Sequence, residues 1–459
     1  MLVAAVLLGA TMAAWPGGAQ PASGSVAAGT RLWVSRYNGS GAGAQATAIA
    51  PNLGGTAVFV TGLSRTGPAT QSWVTIAYNA KTGKRLWLTA HAEGNGTGTA
   101  PRAISVSTDG TKVFVTGAAP GAPHRFMTIA YDAVTGKQLW ISTSSIAATP
   151  AAMVAFGTTV VYVTGSTAAA NGVSPDYVTI AYKAATGAQL WISRYNGPAH
   201  GTDQAAGIAV AQLGKTVLVT GRSEGRTSGA DVATVAYNAA TGAQQWVSRY
   251  NGPANRGDFG QAIAVNPGQR VAYVTGGSQD VTGSDMVTIA YSVTTGAQLW
   301  AQRYDAGGNS SNQGLSLAVF DTGAPLIVTG RIVTVAGRRS DVTINYNERT
   351  GKPVWIRHFK PLNNFSFNPV AMAIGPLAAI AYVAGDTGLP SHEEGYGTVA
   401  FTLNGSVVWR GHYAGPADGK SFLLGLAIGP QTGGTLYETG ASDSSAGVPD
   451  FATLAYVAR

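Results

Sequence analysis

Cysteine is absent from the 459 residues. No disulfide can staple the fold, and no thiolate is available as a nucleophile or metal ligand. Charge is scarce too, with Asp, Glu, Lys and Arg at only 11% of positions. That excludes a charge-rich disordered chain and leaves too few polar residues to solvate long surface helices. Histidine occurs six times but never with the His-Glu-x-x-His spacing of a helical metal site. No Ser/His/Asp grouping and no phosphate-cradling loop stands out. No apolar run is long enough to cross a bilayer as a helix.

What is present is glycine, 62 residues of it, in a chain that is 45% hydrophobic. Glycine, β-branched residues and aromatics with few charges favour short strands joined by tight turns. The net charge is +8, yet the only adjacent basic pairs are Lys84-Arg85 and Arg338-Arg339. A nucleic-acid surface needs a concentrated basic stripe, so no nucleic-acid partner is expected. The scattered charge suits solubility and a weak attraction to anionic polymers. At the start, Leu2–Ala14 is an apolar run followed by Trp15-Pro16-Gly17-Gly18-Ala19. The run has the length of a signal-peptide core, and Gly17 and Ala19 suit the −3 and −1 positions of a cleavage site, although no Lys or Arg precedes it. Residues 1–29 are therefore expected to be a signal peptide and short flexible linker. The mature chain is expected to be secreted or extracytoplasmic, at the cell surface or beyond, with no transmembrane span.

Eight of the ten tryptophans form a series: Trp33, Trp87, Trp140, Trp191, Trp246, Trp300, Trp355 and Trp409. A Val-x-Val-Thr-Gly segment or a variant recurs with glycines at 62, 117, 165, 221, 276, 330, 385 and 440. A third series ends in Tyr78, Tyr131, Tyr182, Tyr237, Tyr291, Tyr346, Phe401 and Tyr456. The three markers agree on eight units of about 54 residues. Within each unit, alternating apolar residues broken by turn signals predict four short strands, A to D. In one unit these are Ala262–Val265, Val271–Thr275, Met286–Tyr291 and Leu299–Tyr304.

Four-stranded sheets repeated at this period indicate an all-β, eight-bladed β-propeller of antiparallel blades, a single domain over residues 30–459. The Trp33 strand has no Tyr strand before it, and Tyr456 has no Trp strand after it. Leu32–Tyr37 is thus expected to complete the last blade as its strand D, closing the ring and removing an open edge.

The span Ala130-Tyr131-Asp132-Ala133-Val134-Thr135-Gly136-Lys137-Gln138-Leu139-Trp140 resembles the tryptophan-docking motif of quinoprotein (PQQ-like) dehydrogenases. Ala77/Asn79/Thr82/Gly83/Trp87 and Ala236/Asn238/Thr241/Gly242/Trp246 match it with Asn for Asp. The units at Trp191 and Trp300 keep Ala, Thr-Gly and Trp. The whole unit is also similar to the bacterial β-propeller repeat (SBBP) family. The resemblance spans Arg31–Arg459 and implies a propeller. In quinoproteins it further implies a quinone over the central channel, a calcium held by Glu and Asn, a catalytic Asp and often a vicinal disulfide. None of these residues carries over. The expected inner strands, Ala46–Ala50, Ala103–Val106, Ala152–Ala155, Ala206–Val210, Ala262–Val265, Leu315–Val319, Ala371–Ile374 and Gly425–Ile428, hold no carboxylate or amide. No cofactor and no metal site is expected, and the tryptophans are read as rings sandwiched between blades.

The C–D turns are short and stereotyped, whereas the D–A and B–C loops vary. Binding residues concentrate on variable loops over a rigid scaffold, so the D–A/B–C face is the expected functional face. Its candidate binding residues are His200, Asp203, Arg256, Asp258, His392, Glu393 and Glu394. His392-Glu393-Glu394 breaks the repeat, and a histidine beside two carboxylates is chemistry suited to a metal or to acid–base work. Adjacent residues seldom converge on one ion, so no catalytic residue is assigned. Asp176, Asp231, Asp285, Asp341 and Asp450, before strand C, are either a carboxylate ring or loop ties to backbone N–H groups. Asp203, Asp258 and Asn312 have the same two readings. Arg36, Arg194, Arg249 and Arg303, three residues after their tryptophans, are either an anion belt or edge protection. The expected function is a monomeric, non-catalytic binding or scaffold module for a protein or a cell-envelope glycan. The alternative is an enzyme using the axial pocket, either a quinoprotein-like oxidoreductase or a polysaccharide-active hydrolase or lyase.

Overall fold

The computed structural model describes residues 26–459 except 40, 66, 68–69, 96–99, 122, 169–173, 267, 269, 320–324, 360–365, 376–379, 389–393, 417–419, 431–433 and 445–446. The expected signal segment falls outside these residues up to position 25, as do His392 and Glu393.

The described chain is all-β, apart from one short 3-10 turn at Gln212–Gly214. The unit containing Trp300 shows the pattern: Asp258–Asn266, Val271–Gln279, Ser284–Ser292 and Gln298–Tyr304 pair in succession as antiparallel strands A to D. Four of the eight units are separate four-stranded sheets. Two are fused through the continuous strand Gln138–Phe156, which is D of one unit and A of the next, and two are joined by a single parallel bridge from Ser284 to Ser311. The first strand, Arg31–Tyr37, lies antiparallel to Pro449–Val457, with Trp33 opposite Ala455 and Tyr37 opposite Phe451. The first and last segments of the described chain therefore share one sheet.

Strand A begins earlier than the apolar runs predicted, and this corrects the sequence reading. Every A strand has a β-bulge opposite the Thr-Gly step of strand B, or opposite its Ala-Gly variant. The extra residue is Thr47, Arg102, Ala151, Ala206, Gln261, Leu315, Val370 or Leu424. A bulge re-aims a side chain without ending the strand. The strands thus run on into polar residues, taking in Arg102, Gln204, Gln261, Gln313 and Asn368. Two of these strands open on a carboxylate, Asp203 and Asp258, so the expectation of inner strands without carboxylates or amides fails.

The repeated turn explains the tryptophan series. In the Asp132–Lys137 turn, Asp132 Oδ1 accepts from the N–H groups of Val134 and Thr135 and from the Thr135 hydroxyl, at 2.8–3.1 Å. Gly136 takes φ +72°, and a Cβ there would lie 2.6 Å from the Trp87 ring. The Trp87 indole rests on that glycine and donates Nε1–H to Ala133 O at 2.9 Å. Seven of the eight series tryptophans donate in this way to the C–D turn of the following unit, and Trp409 donates to the carbonyl just after the last C strand. Trp409 reaches Ala458, and Trp33 reaches Ala80 in the first unit. The motif is an inter-sheet dock in which a buried donor is paired and an aromatic face is covered.

Within each sheet, the Thr of strand B pairs with the opposite Thr of strand C in seven units, as in Thr61–Thr75 and Thr439–Thr453. The unit containing Trp409 has Ala384 instead, opposite Thr398. Thr398, without its usual partner, donates to the fully buried Glu438 of the next unit. Glu438 occupies the position held by Val60, Val115, Val163, Val219, Val274, Val328 and Val383 in the other units. Its second oxygen, Oε2, has no hydrogen-bond partner, and burial pushes its pKa up to about 7.

Candidate functional site

The bulges line a concavity. A cavity of about 760 Å³ opens among the starts of the A strands and the ends of the B strands, on the side of the D–A and B–C loops. Five consecutive units and the last one contribute to its wall. The bulge residues Thr47, Arg102, Ala151, Ala206, Gln261 and Leu424 all line it, with Gln204 and Arg222 beside them. Pro101, Pro150, Pro175 and Phe259 supply apolar wall. No Asp, Glu or His is among its lining residues.

Its cations have little anionic company. Arg102 forms no ion pair among the described residues. Arg222 has only Glu224, at 3.9 Å with both side chains well exposed, a pairing worth little. Arg331, which is not among the cavity's lining residues, occupies the same position on its B strand as Arg222, directly after the Thr-Gly step. Its guanidinium contacts neutral amides, Asn368 Oδ1 at 3.4 Å and Gln313 Oε1 at 3.2 Å. Gln313 in turn donates to Gln261 Oε1 at 3.4 Å. Arg102 and Arg222 make the cavity wall cationic.

Beneath the same loops lies a repeated polar cluster that joins two series the sequence reading kept apart. Arg249 pairs with Asp231 at 2.8 Å and also donates to Tyr195 Oη of the previous unit and to Ser223 Oγ. Arg36 repeats this with Asp450 at 3.0 Å, Tyr413 and Ser442. Arg303 pairs with Asp285 at 2.9 Å and with Asp280 at 3.4 Å. Burial outweighs Arg303 and holds the Asp285 carboxyl above its ordinary value. The two series are thus one device, a partly buried ion pair between strands C and D. The signal was legible: Arg at Trp+3 and Asp at Tyr−6 occur in the same four units. In the fourth, Asp176 and Arg194 interact through space without a close ion pair, and burial with Asp203 nearby raises the Asp176 carboxyl. In the unit containing Trp355, His358 stands in the Arg position and its Nδ1 contacts Asp341 O at 2.7 Å.

The sequence-predicted site residues divide sharply. Asp203 and Asp258 are buried; each accepts a backbone N–H of the D–A loop, from Gly197 and Gly252, at 2.6 Å. His200 and Arg256 are exposed on those loops, and His200 takes a left-handed turn conformation (φ +54°), as does Asn255 in the next unit. Glu394 opens the strand Glu394–Thr402. Among the described residues no three His, Asp or Glu side chains converge as a metal site would require. Gly221-Arg222-Ser223-Glu224-Gly225 has the Gly-x-Ser-x-Gly spacing of a nucleophile elbow. Ser223, however, is buried in an antiparallel hairpin and bonded to Arg249, which cannot serve as a base.

A family model for outer membrane protein assembly factor BamB, built on PQQ-like repeats, matches three overlapping stretches, residues 70–234, 125–288 and 231–424. The chain belongs to this PQQ-like repeat family. Comparison with curated protein sequences finds no match. Among solved structures, this PQQ-like chain is similar to quinohemoprotein alcohol dehydrogenase from Comamonas testosteroni. The TM-score is 0.56 at 12% identity, over 94% of this chain and 76% of that one. It is similar to Sqt1 from Chaetomium thermophilum, with TM-score 0.59 at 11% identity, over 94% and 98% of the two chains. A structure of that Sqt1 bound to the N-terminus of the ribosomal protein L10 aligns equally well, at TM-score 0.59 and 11% identity, over 93% and 100%. At such identities the likeness shows the fold, a β-propeller. The donor set does not fit the quinone–calcium pair that the quinoprotein resemblance implies. A hard divalent cation needs several anionic or carbonyl oxygens converging on it, and the cavity lining supplies no carboxylate.

Proposed function

We propose that this chain is an exported, monomeric, eight-bladed propeller, a single domain over residues 30–459, that binds a protein partner on its D–A/B–C face and performs no catalysis. The ring reading is supported by the shared sheet of Arg31–Tyr37 and Pro449–Val457 and by the eight indole docks running from each unit to the next. Contacts of strand Ala44–Pro51 with strands Ser421–Ile428 and Thr435–Asp443 support it too. The exposed His200 and Arg256 would take part in binding on that face, together with Glu394 and with His392 and Glu393, which lie outside the described residues. Asp203 and Asp258 would hold its loops in shape.

The observation that carries the non-catalytic reading is the cavity wall. It offers guanidinium groups, amides and hydroxyls but no histidine or carboxylate to act as general base or metal ligand. The test is incubation of the purified chain with pyrroloquinoline quinone and calcium, followed by dye reduction with a panel of alcohols and sugars. No substrate-dependent reduction is expected. Turnover would overturn this reading in favour of an oxidoreductase. Cleavage of envelope polysaccharides by the chain would overturn it in favour of a hydrolase or lyase.

A further inference from the structure

We infer that the axial cavity is a receptor for an acidic peptide segment, one carrying two or more carboxylates spaced along an extended chain. This deepens the binding reading above and rests on it for the kind of partner. Arg102 and Arg222 come from non-adjacent units. The unit between them lines the cavity with Pro150, small side chains and hydroxyls. Two fixed cations separated by an uncharged stretch suit a ligand whose anionic groups are likewise separated, rather than a single small anion. Gln204 and Gln261 each offer both a donor and an acceptor, which a peptide backbone can use. Phe259 and the proline wall cover apolar stem atoms. A cavity of about 760 Å³ has the size of a ligand pocket. The overall charge of +8 favours approach of an anion. A cationic wall whose one acidic partner among the described residues is Glu224, at 3.9 Å, gains from a ligand that brings further negative charge, because charge-assisted hydrogen bonds are the stronger kind and arginine pairs carboxylates bidentately.

The test is fluorescence anisotropy with a fluorescein-labelled decapeptide of alternating Glu and Ala. Its Lys–Ala and Gln–Ala counterparts and an oligogalacturonate serve as competitors. The Glu–Ala peptide is expected to bind saturably, and the Lys–Ala and Gln–Ala peptides are expected not to compete. The Arg102→Gln/Arg222→Gln double variant should raise Kd at least tenfold. Gln261→Glu, which keeps both arginines and adds a negative charge to the wall, should also weaken binding. Lys84→Gln/Lys137→Gln, on exposed C–D turns, should leave Kd unchanged. The inference fails if the Glu–Ala peptide does not saturate, if neither cavity variant alters its Kd, or if oligogalacturonate binds in its place. Affinity is the readout, so the result stands apart from the dye-reduction assay that tests the absence of catalysis.

Discussion

Replacing Glu438 with valine should stabilise the protein, and increasingly so as pH rises from 5 to 8. Seven units place valine here, and the eighth buries a carboxyl with one oxygen bonded by Thr398 and the other unpartnered. Burial raises its pKa from 4.5 to about 7. The folded protein therefore favours the protonated acid. Stability due to this group is fully present below pH 4.5 and falls as pH rises through 7. One pKa unit corresponds to roughly 1.4 kcal/mol, so ionisation of a group shifted this far costs about 3 kcal/mol at pH 8. Glu438→Val removes that cost and the unsatisfied oxygen together, although it leaves the Thr398 hydroxyl without its acceptor, a loss of about 1 kcal/mol. The net gain should be about 2 kcal/mol at pH 8 and close to nil at pH 5. For a domain this large, with an unfolding entropy of roughly 2 cal/mol/K per residue, that is a rise in Tm of about 2 °C. Calorimetry of both proteins at pH 5, 6.5 and 8 measures it. A variant that is destabilised at pH 8, or a gain independent of pH, would refute the reasoning. Either result would mean that the carboxylate is charged and compensated in the native fold.

Three further outcomes follow from the packing. A double-mutant cycle on Arg249→Leu and Asp231→Val, read by urea unfolding, should give a coupling energy of about 1–3 kcal/mol, because each single variant strands a buried partner; a coupling near zero would mean the pair is solvated. Gly136→Ala should destabilise by about 2 kcal/mol or more, since its φ is left-handed and its Cβ meets the Trp87 ring; near-UV circular dichroism should report the disturbed indole. Deleting residues 26–37 should expose the edge of strand Pro449–Val457 and remove the Trp33–Ala80 bond, and size-exclusion chromatography should show self-association; a stable monomer would contradict the role given to that strand.

The sequence by itself determined what is local or repeated. The period-two strands and the three marker series recur in eight units and the Thr-Gly turn, as in Asp132-x-x-Thr135-Gly136, in six, and repetition makes a weak local signal strong. It also determined the pairing of Arg31–Tyr37 with the strand ending at Val457, because an incomplete unit at each end has one economical partner. What needed the tertiary structure was everything set by register between strands. Arg102 and Gln261 look like ordinary residues before apolar runs, and only the bulges turn them onto the cavity wall. For Asp203 and Asp258 the sequence left two readings open, a binding carboxylate or a loop tie, and only the path of the D–A loop decides for the tie by burying them against Gly197 and Gly252. The partnership of Thr398 with Glu438 joins positions in different units, one missing its threonine and the other its valine. Such compensation depends on which sheet lies against which, a contact made across space and invisible to any pattern along the chain.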